Sequence, residues 1–421
     1  MLNIDFICQH PQVVREALQR RRDPHTIDEI LHLAEQRCSL VTRRDGLYTA
    51  LKVRKERNKS EGKRPSQDPQ VKALTHDVRQ QEMQINEIEA RLQPLLLSLP
   101  NLPHQSVPEG EDAQGNVEQH TWGKPVQFRF QPRSHWDLGL HLGMIDAESG
   151  TKIAGSRFVT LKGAGARLER ALISFMLDVH TREHGYTEIL PPFLARRVIM
   201  LGAGQLPKFE NQVYSSSEDE LYLNPTAEVP LVGMHSDSIL PPDTLPLRYV
   251  AWTTAFRREA GSNSRQTSGL LRLHQFNKVE LFQYVAPQDS YAALQQMLWH
   301  AERILQYLEL PYRVVELCTA NLPFASAKTF DLEVWMPGME SYVEVSSISN
   351  CETFQARRAN IKYRPAQGVH SDYVHTLNAS GLAVGRTMAA ILETYQQADT
   401  SVIVPKVLRP YVQTSQFTPP T

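Results

Sequence analysis

Between Phe256 and Leu281 the chain reads FRREAGSNSRQTSGLLRLHQFNKVEL, with four arginines, two glutamates, one histidine and two phenylalanines in one strand–loop–strand pattern. Apolar alternation from Tyr249 to Phe256 leads into Arg257, Arg258 and Glu259. A loop rich in Gly, Ser, Asn and Thr follows, and alternation resumes from Leu270 through Phe282. Two antiparallel strands that present guanidinium groups in fixed positions suit a triphosphate held in a bent pose, because the planar fork donates paired hydrogen bonds to phosphate oxygens. A solvated hairpin with a charged edge has the same outline, so the hairpin needs partners elsewhere in the chain.

Four other segments carry residues of the right kind. Asn224-Pro-Thr-Ala-Glu228 follows an extended run and places a hydroxyl and a carboxylate two residues apart; on a strand both would point to one face. Glu344-Val-Ser-Ser347 offers a carboxylate and a hydroxyl at a spacing that can share a hard cation. Asn378-Ala-Ser-Gly-Leu-Ala-Val-Gly-Arg386 runs into a helix start, with small residues that permit close backbone approach. Gly202-Ala-Gly-Gln-Leu-Pro-Lys-Phe209 is a glycine-containing loop able to close over a pocket. Taken singly, each has a structural explanation, since Ser, Thr and Glu near strand ends ordinarily satisfy backbone groups.

The elements that must position these residues fall in two blocks. Up to about residue 100 the signals are helical. Thr26-Ile27-Asp28-Glu29 has a capping-box pattern, and apolar residues recur at Ile27, Ile30, Ala34, Cys38, Val41, Tyr48 and Leu51. Gly62, Pro65 and Pro69 break the pattern, and a second series runs Val71, Leu74, Val78, Ile85, Ile88, Leu92 and Leu95. Two such stripes predict an antiparallel helical hairpin, an arm on the order of 45 Å long at ~1.5 Å per residue. Its tip, Leu51 to Arg64, carries seven Lys or Arg against two Glu. That run suits either a solvated helix end or a phosphate backbone.

A Pro/Gly/acidic stretch over 101–120 reads as a linker, which makes 1–100 an arm domain and 121–421 a catalytic domain. In the second block, strand-like alternation at Gln127–Phe130 mixes irregularly with helical patterns over Arg167–His184, Ser290–Leu308 and Thr387–Tyr395. This favours an α+β domain around a largely antiparallel sheet over a doubly wound one.

At 421 residues two domains are expected. A net charge of −1 neither favours nor excludes a nucleic-acid partner. The four cysteines are scattered with no CxxC, which argues against zinc and against a disulfide framework. With no apolar run of membrane-spanning length and no signal or transit layout at the start, the chain reads as cytosolic.

In this order and spacing the segments resemble the bacterial-type seryl-tRNA synthetases, a family of class II aminoacyl-tRNA synthetases, over nearly the whole chain. The resemblance is carried by HGYTEILPPF (184–193), GQLPKF (204–209), NPTAEVPL (224–231), FRREAGS and RLHQFNKVELF within 256–282, EVSSISNCETFQARRANIKYR (344–364) and HTLNASGLAVGRTMAAILE (375–393). The opening MLNIDFICQHPQVVREAL and GSRFVTLKGAGARLERAL (155–172) add to it.

The resemblance implies a six- to seven-stranded antiparallel catalytic sheet, an N-terminal coiled-coil arm, and ATP-dependent loading of serine onto tRNA(Ser). It leaves open whether tRNA(Sec) is a second acceptor. Arg257 is implied to hold the α-phosphate and the serine carboxylate. Arg386 would take the γ-phosphate side and one face of adenine, with Phe276 on the other face and Glu259 and the backbone near Leu273 at the base. Arg258, Val345 and Ser346 join the implied ATP contacts, and Glu344 with Ser347 would hold Mg²⁺. Thr226, Ala227, Glu228 and Glu280 would surround the serine ammonium, with Ser380 and Asn378 at its hydroxyl. A hydroxyl met by a buried polar partner excludes alanine, whereas threonine must be excluded sterically.

Gly185–Pro192 matches the family's dimer-forming segment, and Arg54, Lys55, Arg57, Lys59, Lys63 and Arg64 are implied to grip the tRNA by shape. The departures lie mainly in Asn263–Ser268, where family members usually read close to AGRDTRG; Ala379 and Ile348 are milder ones. A variant specialised as an RNA-binding or regulatory dimer, or as a ligase that passes serine to another acceptor, is the alternative expectation.

Overall fold

The structure, a computed structural model, describes residues 1–260, 269–366 and 368–420. The chain divides into two compact units, Met1–Leu102 and Pro103–Thr421. No helix among the described residues is long and apolar enough to cross a membrane.

The first unit is built on two long helices, α1 (Asp28–Ser60) and α2 (Pro69–Ser98). The Thr26 cap expected from sequence does not form: Ile27 occupies the N-cap position with no side-chain hydrogen bond. Asp68 does cap α2, accepting from the Gln70 N–H at 2.8 Å. The α2 stripe is as expected, with Val71, Val78, Ile85, Ile88 and Leu92 buried. The α1 stripe is not, because Cys38 and Tyr48 are exposed. The seam instead follows Ile30, Leu33, Arg37, Leu40, Arg44, Leu47, Leu51, Arg54 and Asn58, a regular three-and-four spacing whose positions are all buried or partly buried. Several seam positions are polar and find partners on or beside α2: Arg37 pairs with Glu89 at 2.7 Å, and Arg54 and Asn58 both bond Asp68.

The second unit is organised by an eight-stranded sheet. Its members in chain order are β1 (Val117–Trp122), β2 (Thr187–Glu188), β3 (Leu247–Phe256), β4 (Gln275–Val285), β5 (Tyr312–Glu316), β6 (Lys328–Met336), β7 (Ser341–Glu352) and β8 (His375–Ala383). The spatial order is β1-β5-β6-β7-β8-β4-β3-β2, antiparallel except at the short β2–β3 edge. The helices that bury its apolar face are α3 (Ala164–Arg182), α5 (Ser290–Tyr307) and α7 (Val384–Thr394). Two short helices lie beside the opposite face, α4 (Glu228–Gly233) and α6 (Phe354–Ala359).

The segment 103–120, expected as a linker, lies with this unit: His104 N–H bonds Ala327 O at 2.9 Å, Val107 packs with Leu317 and Leu322, and residues from Val117 form the sheet edge. Gln127–Phe130 is not a strand. Strand β4 begins at Gln275 rather than Leu270, since Gly269–Leu271 is a 3₁₀ turn.

Alternation along the central strands sorts the chemistry from the core. On β4, Val279 and Leu281 face the α3/α5/α7 core, while Phe276, Lys278 and Glu280 face a cavity. On β8, Leu377 and Ala379 face the core and Asn378 and Ser380 the cavity. Two of the sheet's register shifts bear on the site. Between β6 and β7, Leu332 opposes Ser346 and Glu333 opposes Glu344, which leaves Val345 as the extra residue. That bulge brings Glu344 and Ser347, three residues apart, to the same face. Between β4 and β8 the extra residue is Gly381. A Cβ there would lie 3.0 Å from His180 Nε2, so a side chain would crowd α3 where it approaches the strand.

Candidate active site

A cavity of about 390 Å³ opens over β4, β7 and β8. It gathers residues from widely separated segments: Thr226 and Glu228, Arg257 and Glu259, Phe276 and Glu280, Glu344 and Ser347, Asn378 and Ser380, and Arg386, with Leu273 on the wall. Ala203, Gly204, Gln205 and Phe209 of the glycine-containing loop line it as well. Four residues named from sequence keep their side chains out of the cavity. Ala227 and Val345 are fully buried in the apolar core. Ser346 turns its hydroxyl to Ser380 O at 2.6 Å, and the Arg258 guanidinium lies over the Tyr214 ring. Asn263–Ser268 lie outside the described residues.

Arg257 is fixed at the point where β3 and β4 part. Its N–H donates to His274 O at 2.9 Å, the His274 Nδ1 meets Arg257 O at 2.9 Å, and its Nε donates to Pro225 O at 3.2 Å. The guanidinium sits 5.3 Å from the Phe276 ring centroid. Burial lowers its pKa, with Arg386 acting in the same direction and Glu259 opposing; an arginine remains cationic all the same. Glu259 adopts a left-handed backbone, φ 49°, and its carboxylate pairs with Arg272 at 2.5 Å. Strain of this kind persists where surrounding structure holds it. Arg386, near the start of α7, donates to Glu344 O at 2.7 Å and pairs with its carboxylate at 3.3 Å. Three guanidinium groups with acidic counterparts thus ring one end of the cavity, as a polyphosphate site requires.

The other end is smaller and drier. Thr226 and Glu228 do not share a strand, the condition under which their spacing alone would turn both to one face. The strand before them ends at Leu223, the chain turns, and Glu228 opens α4 with its N–H on Thr226 Oγ1 at 3.3 Å. The turn still brings both residues inward. Thr226 Oγ1 donates to Glu280 Oε2 at 3.1 Å, and Lys278 Nζ pairs with the same carboxylate. Burial raises the Glu280 pKa, opposed chiefly by Lys278. Burial, reinforced by Glu280, pushes Glu228 up to about 7. A buried carboxyl, a part-buried one, a buried lysine and adjacent hydroxyls make a site for a small zwitterion, whose ammonium would compete with Lys278 for Glu280.

Cation chemistry fits the intervening wall. Directly across from Ser347, Asp331 has a buried oxygen, Oδ1, with no hydrogen-bond partner among the described residues. Burial first and the neighbouring Glu344 second raise the Asp331 pKa well above the carboxylate range. An orphaned carboxylate oxygen beside Glu344 and Ser347 is the hard-oxygen set a divalent cation such as Mg²⁺ prefers.

Sequence reasoning did not single out Lys278, Arg272, Asp331, Gln355 or Cys351. Lys278 was readable from strand parity, lying between Phe276 and Glu280. Asp331 required knowing that β6 pairs with β7.

Two family models match parts of the chain. Residues 1–103 match the seryl-tRNA synthetase N-terminal domain, and residues 208–395 the class II tRNA synthetase core domain of the G, H, P, S and T enzymes. The serine–tRNA ligase of Thermodesulfovibrio yellowstonii is 50% identical over 98% of this chain and 99% of its own length. That of Geobacillus kaustophilus is 55% identical over 80% of this chain and 79% of its own. Among solved structures, the seryl-tRNA synthetase from Pyrococcus horikoshii complexed with ATP superimposes with a TM-score of 0.92 at 35% identity, covering 100% of both chains. With full-length relatives at this identity and the cavity built from the same segments that carried the resemblance, the chain belongs to the seryl-tRNA synthetase family.

Proposed function

We propose that this cavity activates L-serine with ATP and passes it to the 3′ end of tRNA(Ser). The observation that carries the reading is the pairing of a guanidinium-rich end, around Arg257, Arg272 and Arg386, with a small polar end built on Thr226, Glu228 and Glu280. In the first step the serine carboxylate attacks the α-phosphorus and pyrophosphate leaves. In the second, a terminal tRNA hydroxyl attacks the adenylate carbonyl and AMP leaves. Neither attack on phosphorus nor departure of pyrophosphate needs a dedicated proton-transfer base, so positioning and charge neutralisation supply most of the rate gain.

Arg257, at the guanidinium-rich end, would bring the carboxylate and the α-phosphate together. Phe276 and Arg386 offer flat surfaces for the adenine, with Glu259 and the Leu273 backbone beside it. Glu344 and Ser347 would hold Mg²⁺, which would neutralise phosphate charge. Glu280 and Thr226 take the ammonium, and Ser380 and Asn378 read the hydroxyl.

The helical hairpin is the tRNA-binding arm. Lys55, Lys59 and Arg64 at its tip are exposed, whereas Arg54, Arg57 and Lys63 are held by Asp68 and Glu61. The segment Gly185–Pro192 supports assembly as a homodimer. Serine-dependent pyrophosphate exchange without tRNA tests activation, and charging of unfractionated tRNA tests transfer. Both are expected. Absence of serine-dependent exchange would overturn the reading, and exchange without charging would point to an acceptor other than tRNA.

A further inference from the structure

One buried amide ties the amino-acid end of the cavity to the loop beside it. Gln355, on α6, is fully buried. Its Nε2 donates to Glu228 Oε1 and to Ala203 O at 3.1 Å, and its Oε1 accepts from Thr376 Oγ1 at 2.7 Å. Both N–H groups and the carbonyl are therefore engaged. The amide has one workable orientation, because the carboxyl oxygen and the Ala203 carbonyl both need a donor.

The partner it fixes faces the cavity. Glu228 Oε1 also accepts from Asn378 Nδ2 at 3.0 Å, so two amides converge on one carboxyl oxygen. No described residue hydrogen-bonds the other oxygen, Oε2, and Glu228 lines the cavity beside Thr226, Glu280 and Ser380. Ala203 belongs to the Gly202–Phe209 loop, which lines the same cavity. A single side chain thus sets the rotation of a cavity carboxyl and the seat of the adjacent loop.

We propose that Gln355 is a positioning residue for amino-acid selection. It turns Glu228, expected from sequence beside the ammonium, so that the second carboxyl oxygen instead joins Ser380 and Asn378 at the substrate hydroxyl, and it holds the Ala203 loop against the same space. Without it the carboxyl rotates and the wall loosens. A hydroxyl then loses a fixed partner, and an added methyl is tolerated. The inference rests on the serine-activating reading of the cavity.

The test is serine- and threonine-dependent pyrophosphate exchange in Gln355→Met, which keeps the length and removes both N–H donors. The expected result is a serine KM raised about tenfold and a serine-over-threonine kcat/KM ratio lowered about tenfold, with the KM for ATP within about twofold. Thr376→Val removes only the bond that steadies the amide carbonyl. It should move the same two quantities in the same direction by roughly threefold, and it decides the matter if Gln355→Met does not fold. Serine KM and selectivity unchanged in a folded variant would overturn the proposal. So would KM values for serine and ATP that rise together at constant selectivity, the mark of a purely structural role. No serine-dependent exchange in the unaltered protein would instead remove the reading on which the proposal stands.

Discussion

At the amino-acid end of the cavity, the Lys278 and Glu280 side chains are 10% and 2% exposed, and Thr226, Glu228 and Asn378 beside them are held by side-chain hydrogen bonds. At the hairpin tip, Arg57 and Lys63 remain 66% and 67% exposed while sharing Glu61. Both regions concentrate charge, but the physical consequences differ. Buried charges cannot trade partners cheaply, because breaking one pair strands the other group without water. Their geometry is therefore fixed before a ligand arrives, and a small ligand that fits must supply matching charges. Exposed pairs gain little and rearrange freely in salt. Such a surface does not specify a small molecule but adapts to a polyanion, whose phosphates replace the local carboxylates one by one.

The largest effect that would sharpen this contrast is at Arg257, a part-buried cation fixed by backbone hydrogen bonds at the guanidinium-rich end. Arg257→Ala should lower pyrophosphate exchange by about 10³-fold or more, since it removes charge where the transition state gains it. A loss under tenfold would break the contrast, because a pre-organised charge would then matter no more than a surface one. Next is the exposed set. Lys55, Lys59 and Arg64 changed together to Gln should raise the KM for tRNA by roughly 10–100-fold near physiological salt, leave exchange within about twofold, and flatten the salt dependence of charging. If exchange fell instead, the tip would be acting on the fold rather than on RNA.

What the sequence made legible follows the same division. The β3–β4 hairpin was readable because a strand with one polar and one apolar face has a strict period, whereas β8 was read only as the approach to a helix. The Glu344–Ser347 pair was found by residue type, yet its shared face depends on the Val345 bulge, which no local pattern announces. Thr226 and Glu228 were read as one-faced only if they lay on a strand, and they lie on a turn into a helix. Their cavity position survives because both geometries turn them inward. In the hairpin, α2 was read correctly, and α1 was misread because Arg37, Arg44, Arg54 and Asn58 occupy seam positions where apolar residues were sought. Gln355 carried no signal: a glutamine on a six-residue helix is unremarkable until Glu228, Ala203 and Thr376, distant in sequence, converge on it.

The smallest effect concerns stability, at a buried acid with no counter-charge. Asn277 Oδ1 accepts from Trp252 Nε1 and Thr254 Oγ1, so its Nδ2 is committed to donate to Glu169 Oε1 at 3.1 Å. Glu169 Oε2 is buried and has no partner among the described residues, so it is where the proton of the neutral acid sits. Burial pushes this carboxyl from 4.5 up to about 7, against the opposing Asn277 bond. A folded-state pKa above the unfolded one means that the stability linked to Glu169 is fully present below about pH 4.5 and is lost as pH rises through about 7. Glu169→Gln keeps the Asn277 bond and cannot ionise. At pH 8 the variant should be more stable than the parent by on the order of 1 kcal/mol, less than the full linkage because the new N–H₂ inherits the unpartnered position. Below pH 4.5 the advantage should vanish. Denaturant midpoints at pH 4.5, 6 and 8 read this directly, with Arg57→Ala as the exposed counterpart, expected to shift none of them measurably. An equal gain from Glu169→Gln at all three pH values would show that ionisation of the buried acid is not what limits stability there.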